Sequence, residues 1–109
     1  MLTIDLREEL AQGLTDIFRE KLLMIILYGS VARDEATMES DVDIAILLKN
    51  EMDETEKEKF LTWVVDMDIR YDRVFSIVDI QEDKMERWGK ILPFYKNVQE
   101  EGIVLWKAA

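Results

Sequence analysis

Leu6, Leu10, Leu14, Ile17 and Phe18 recur three and four residues apart, so residues 5–20 are expected to form an amphipathic helix with one buried stripe. The period then changes. Residues 22–28 are apolar on both faces and stop at Gly29-Ser30, the pattern of a buried central strand. Residues 41–48 read as a second strand, with Ile44, Ile46 and Leu48 on one face and Asp41, Asp43, Ala45 and Leu47 on the other. A polar loop over 50–55 leads to a helix from Glu56 to about Ile69, with Phe60, Val64 and Met67 along one side. Residues 73–80 read as a third strand, and 82–92 as a helix interrupted by Pro93. A further helical piece is expected over 94–101, ended by Gly102, with 103–106 as a short final strand or docked tail. Strands and helices alternate, so the class is α/β or α+β: a small mixed β-sheet flanked by helices.

Composition narrows the chemistry. A length of 109 residues predicts a single domain spanning 1–109 with its own core. Cysteine is absent, which excludes disulfides, a thiol nucleophile and a cysteine-based zinc site. Histidine is absent too, removing the usual general base and the commonest transition-metal ligand. Any metal must therefore sit on oxygen ligands, which points to Mg²⁺ or Mn²⁺. With 24 acidic and 14 basic residues the formal net charge is -10, and Lys57, Lys59, Arg70, Arg73 and Lys84 are interleaved with carboxylates. Direct nucleic-acid binding is not expected of such a surface. The longest apolar run is too short to span a bilayer, no signal pattern opens the chain, and a soluble cytoplasmic protein is expected.

Gly29-Ser30 at a strand end has two readings: an ordinary turn, or a place where the backbone and a hydroxyl approach a phosphate. Asp41 and Asp43 have an internal control in Asp66 and Asp68, which share their spacing. On the predicted helix the Asp66 and Asp68 side chains diverge by roughly 200° and belong to the helix surface. On the predicted strand Asp41 and Asp43 face the same way, about 6.5–7 Å apart, where both can reach one divalent ion. A solvated sheet edge is the alternative. Aspartate is depleted in strands, and two on one face repel unless a cation or solvent intervenes.

Leu27-Tyr28-Gly29-Ser30-Val31-Ala32-Arg33, ten residues from Gly-Ser to Asp41-Val42-Asp43, and the apolar run that follows resemble the signature of the DNA polymerase β-like nucleotidyltransferases. The likeness is greatest to minimal nucleotidyltransferases (MNT proteins) and extends to Pro93-Phe94-Tyr95-Lys96-Asn97 and Glu101-Gly102-Ile103-Val104-Leu105. The resemblance implies a polymerase β palm-like nucleotidyltransferase fold. Gly29 and Ser30 would hold the phosphates of ATP, and Asp41 and Asp43 would be catalytic and hold Mg²⁺ or Mn²⁺. Arg33 would neutralise phosphate charge, or else pair at the surface with Asp34 or Glu35; Ser40, counted with the nucleotide site, would orient the loop or cap the approach to the strand. Active members carry a third carboxylate on a later strand. Aligning the third strand by its apolar rhythm puts Ser76 there, with Asp79 on the opposite face and Asp72 about 13 Å back along an ideal strand.

Two functions are expected from this. One is Mg²⁺-dependent transfer of AMP from ATP to a hydroxyl of a HEPN-domain toxin, with the chain acting as antitoxin. The other is a catalytically weak or inactive nucleotide-binding antitoxin that masks its partner by contact, using its acidic surface and anchors among Trp63, Trp88, Trp106 and the methionines, most of which are expected to pack in the core. Transfer to a small molecule would need a pocket shared between subunits of a homo-oligomer.

Overall fold

The computed structural model describes residues 3–33 and 41–109. Helix α1, Ile4–Phe18, opens on Thr3, whose hydroxyl accepts the Leu6 N–H at 3.1 Å. It buries Leu6, Leu10, Leu14 and Phe18, the stripe the sequence predicts, and a 3₁₀ turn (Arg19–Lys21) leads into strand β1, Leu22–Tyr28. A one-turn helix α2 (Gly29–Ala32) follows, then β2 (Val42–Leu48), α3 (Glu54–Tyr71), β3 (Phe75–Gln81), α4 (Glu82–Trp88), α5 (Pro93–Glu101) and β4 (Ile103–Lys107).

The sheet runs β3-β2-β1-β4. β1 is antiparallel to β2 and β4, and β2 is parallel to β3, so the sheet is mixed. A parallel pair needs a crossover, and α3 supplies it. Alternation along the strands divides the interior. Val42, Ile44, Ile46 and Leu48 join α1 and α3 in the larger core, with Trp63 and Trp106 packed against it. On the other face Ile26, Ala45 and Ile80 meet Met85 of α4 and Val98 of α5 in a smaller one. Among the described residues no polar or charged side chain is buried. None of the helices is long and apolar enough to cross a membrane.

Several boundaries differ from the sequence reading for identifiable reasons. α3 starts at Glu54 because Asp53 and Glu56 form a capping box, each side chain accepting the other's backbone N–H, at 2.7 and 2.9 Å. Lys21 reaches the same Glu56 at 2.6 Å and the Glu51 carbonyl at 2.9 Å, tying the helix start to the entrance of β1. Asp53→Ala is expected to lower stability by about 0.5–2 kcal/mol, read as a fall in the urea midpoint at unchanged slope. Pro93 does not interrupt a helix; it occupies the first turn of α5, where its missing N–H is harmless, and α4 has already ended at Gly89. Gly102 does end α5, but in extended conformation (φ -72°, ψ 147°). A side chain there would strike the Val98 carbonyl and Ile26, so close packing requires the glycine.

β3 begins at Phe75 rather than at 73, and Asp72 is therefore not on the strand. It closes α3 in the left-handed conformation (φ 50°, ψ 45°), with its N–H on the Asp68 carbonyl. Asp68 is correspondingly more than helix surface, because its carboxylate accepts the Phe75 N–H at 2.9 Å and splices α3 to β3. Asp66 fits the surface reading, paired with Arg70 at 2.7 Å one turn on.

Candidate active site

β1 and β2 end side by side. Their antiparallel register sets Tyr28 opposite Asp43, and the parallel register of β2 with β3 sets Ser76 on Asp43's other side. Val42 is fully buried in the larger core, and its N–H is bound to the Val74 carbonyl at 2.8 Å. Strand alternation therefore sends both of its neighbours, Asp41 and Asp43, to the opposite face. Asp41 is exposed and Asp43 half-buried.

Gly29 makes this corner possible. Its φ of 74° lies in the left-handed region, and a β-carbon there would meet the Asp43 carboxylate, with Cγ at 3.1 Å. The turn it opens is held by the Arg33 N–H on the Gly29 carbonyl at 3.1 Å and by Val31, which is buried in the larger core. The Gly29 backbone thus lies directly against a carboxylate, in a space that no side chain can share.

Charge is concentrated here. Burial pushes the Asp43 carboxyl above the ordinary aspartate value, Asp41 pushes it further, and Arg33 partly offsets both. Tyr28 is also raised, first by burial and then by the charge of Asp43. Arg33 lies 3.6 Å from Glu101 at the end of α5. At the other end of α5, the Phe94 ring meets Tyr28 edge-on at 5.7 Å. Sequence reasoning missed Glu101 and Phe94, which lie far along the chain and which no local spacing connects to this corner.

Gly29, Asp41, Asp43, Arg33 and Ser76 thus come together at one end of the sheet. The side chain of Ser30 and the whole of Ser40, both assigned to the nucleotide in the sequence reading, lie outside the described residues, as do Asp34 and Glu35. Asp79 is exposed, and its strand neighbour is Ile46, a residue of the larger core's face, so it points away from Asp43. Among the described residues no group of three or more acidic side chains is placed to hold a metal ion. The described carboxylates that could serve a cation at this corner are Asp41 and Asp43, hard oxygen ligands whose mutual repulsion a divalent cation would relieve. That set suits Mg²⁺ or Mn²⁺, which retain water and accept phosphate oxygens. A cleft of about 1090 Å³ lies at the opposite end of β1 beside Leu22, Lys49 and Trp106, away from this corner.

The sequence matches the family described as "Polymerase beta, Nucleotidyltransferase" over residues 12–108. Two relatives from Methanocaldococcus jannaschii carry the provisional name protein adenylyltransferase. MJ0141 is 30% identical over 96 residues, covering 82% of this chain and 97% of its own length. MJ0604 is 33% identical over 106 residues, covering 91% of this chain and 93% of its own. Among solved structures, a toxin–antitoxin with AMP-PNP superposes with a TM-score of 0.65 at 21% identity, covering 94% of this chain and 73% of that one. The tri-AMPylated Shewanella oneidensis HEPN toxin in complex with its MNT antitoxin gives a TM-score of 0.56 at 21% identity, covering 95% and 72%. These structural likenesses establish the fold.

Proposed function

Because the chain belongs to the polymerase beta nucleotidyltransferase family, we propose that it transfers AMP from ATP to a hydroxyl of a HEPN-domain partner protein and acts as that protein's antitoxin. The observation that carries this reading is the corner itself: Gly29 at φ 74° pressed against Asp43, with Asp41 beside it and Arg33 within electrostatic reach. The names of the M. jannaschii relatives and the partners of the structural neighbours support the choice of a protein acceptor.

In this mechanism Asp41 and Asp43 would hold a divalent ion, which when bound would neutralise triphosphate charge and polarise the α-phosphorus. The backbone of Gly29 and Ser30 accommodates phosphate oxygens, and Arg33 adds positive charge beside them. The acceptor hydroxyl oxygen forms a bond to the α-phosphorus, the bond to the bridging oxygen breaks, and pyrophosphate leaves. Ser76, beside Asp43, cannot act as a carboxylate base, so the hydroxyl proton passes to another acceptor, such as solvent or a group on the partner protein. That same serine favours the second reading, a nucleotide-binding antitoxin that neutralises by contact with slow or no turnover.

Incubating the protein with α-labelled ATP, Mg²⁺ and a HEPN-domain protein from the same genome is expected to label the HEPN protein. A partner that is bound and silenced without label would favour the second reading, and a partner neither bound nor labelled would sink both. Gly29→Ala is expected to cost roughly 1–2 kcal/mol in stability from the left-handed backbone. It also displaces the Asp43 carboxylate, and calorimetric titration of MgATP is expected to show affinity reduced about tenfold or more.

A further inference from the structure

Trp88, Ile91, Leu92 and Phe94 stand 37%, 65%, 40% and 41% exposed along the elbow that joins α4 to α5. Solvated side chains of this size, gathered within so short a segment, mark an interaction surface more often than scattered apolar residues do. The elbow is a built turn. The N–H groups of Ile91 and Leu92 both donate to the Trp88 carbonyl at 3.0 Å, and the Lys96 N–H donates to the Leu92 carbonyl at 2.9 Å. Gly89 is buried at its base, where a β-carbon would crowd the Gln99 side chain at 2.7 Å and strike the Met85 carbonyl. The apolar groups are therefore presented in fixed positions, which lowers the ordering cost of binding.

Its place and its charge both distinguish the patch. Phe94 rests on Tyr28, and Tyr28 is the strand partner of Asp43, so the elbow is continuous with the reacting corner. Residues 87–98 carry Arg87, Lys90 and Lys96 and no carboxylate, in a chain whose formal net charge is -10. A second exposed apolar ridge, Leu61, Val65 and Ile69, has charges of both signs at its ends, Lys57 and Glu58 before it and Asp72 and Arg73 after it, and lies on α3, the helix that covers the face opposite Asp43. A protein whose hydroxyl must reach the α-phosphorus can use the first surface and not the second.

We propose that the α4–α5 elbow is the docking surface for the protein acceptor, a folded partner that offers apolar side chains ringed by carboxylates and so complements a basic, apolar patch. This rests on the reading that the acceptor is a protein, since a small molecule would need no such platform.

The test compares wild type, Ile91→Glu, Leu92→Glu and the control Val65→Glu, all at exposed positions. Each is titrated with MgATP and with the HEPN-domain protein used to test the proposed function. The expected result is unchanged MgATP affinity throughout. Affinity for the HEPN protein should fall about tenfold or more in both elbow variants and stay near wild type in Val65→Glu. Partner binding that survives both elbow substitutions, or that is lost with Val65→Glu instead, overturns the elbow assignment while leaving the protein-acceptor reading intact. A wild-type protein that binds MgATP but no HEPN protein overturns the HEPN-acceptor reading and the elbow with it.

Discussion

Asp43→Asn is expected to reduce AMP transfer by about 10³-fold or more while raising the melting temperature of the ligand-free protein. The loss follows if one of the two carboxylates proposed to hold a cation at the α-phosphate is removed, a contribution of several kcal/mol to the transition state. The gain follows from the same carboxylate's surroundings. Its pKa in the folded protein is raised, by burial first and by Asp41 second, so the ionised form is less comfortable folded than unfolded. A group with a raised folded pKa contributes stability that is complete below its unfolded pKa and is lost as pH rises through the folded value. Wild type and variant should therefore converge in stability below the ordinary aspartate value of 3.8, and at neutral pH the variant should be the more stable. Melting curves across pH with and without Mg²⁺ check this, and Mg²⁺ should protect wild type more than the variant. If the Asp43→Asn protein melted lower than wild type at neutral pH without metal, the carboxylate would be serving the fold rather than the site.

Ser76→Asp is expected to accelerate transfer, by up to about 10²–10⁴-fold if removal of the hydroxyl proton limits the wild-type rate. The register justifies the choice of position: Ser76 is the residue directly beside Asp43 on β3, and it is half-exposed, so a carboxylate fits without entering the core. A new negative charge there adds to the repulsion already felt by Asp43. The variant should melt lower than wild type without metal and recover more on adding Mg²⁺. Single-turnover labelling of the HEPN protein gives the rate. A variant that binds MgATP normally and labels no faster than wild type would mean that the proton is already removed from elsewhere, and Ser76 would lose its significance.

Much of this arrangement was legible in the sequence because it depends on alternation. Residues 22–28 and 41–48 carry the apolar runs and alternation of buried strands, so strand identity and the shared direction of Asp41 and Asp43 followed from period, while the place of Ser76 needed the family resemblance as well as the rhythm of the third strand. Features that escaped the reading are those decided by single contacts. The capping box at Asp53 and Glu56 moved a helix start, and the left-handed Asp72 moved a strand start. Pro93 can stop one helix or start another, and only the turn at Gly89 distinguishes the two. The approach of Phe94 to Tyr28 and of Glu101 to Arg33 depends on where α5 lies across the sheet, which no local pattern encodes.

The strand order β3-β2-β1-β4 also implies a sequence of assembly. β1 and β2 are near neighbours along the chain and pair antiparallel, so their union closes a short loop and brings Gly29 and Tyr28 to Asp43 early in folding. β3 reaches β2 only after the 18-residue helix α3 has crossed over, and it then occupies a sheet edge. Ser76 therefore belongs to a strand that joins after that hairpin, while β4, which pairs with β1 from still further along the chain, joins at the opposite edge. Ser76 sits where a substitution alters the finished corner without touching the β1–β2 hairpin, so changes there are expected to weigh on activity more than on the assembly of that hairpin.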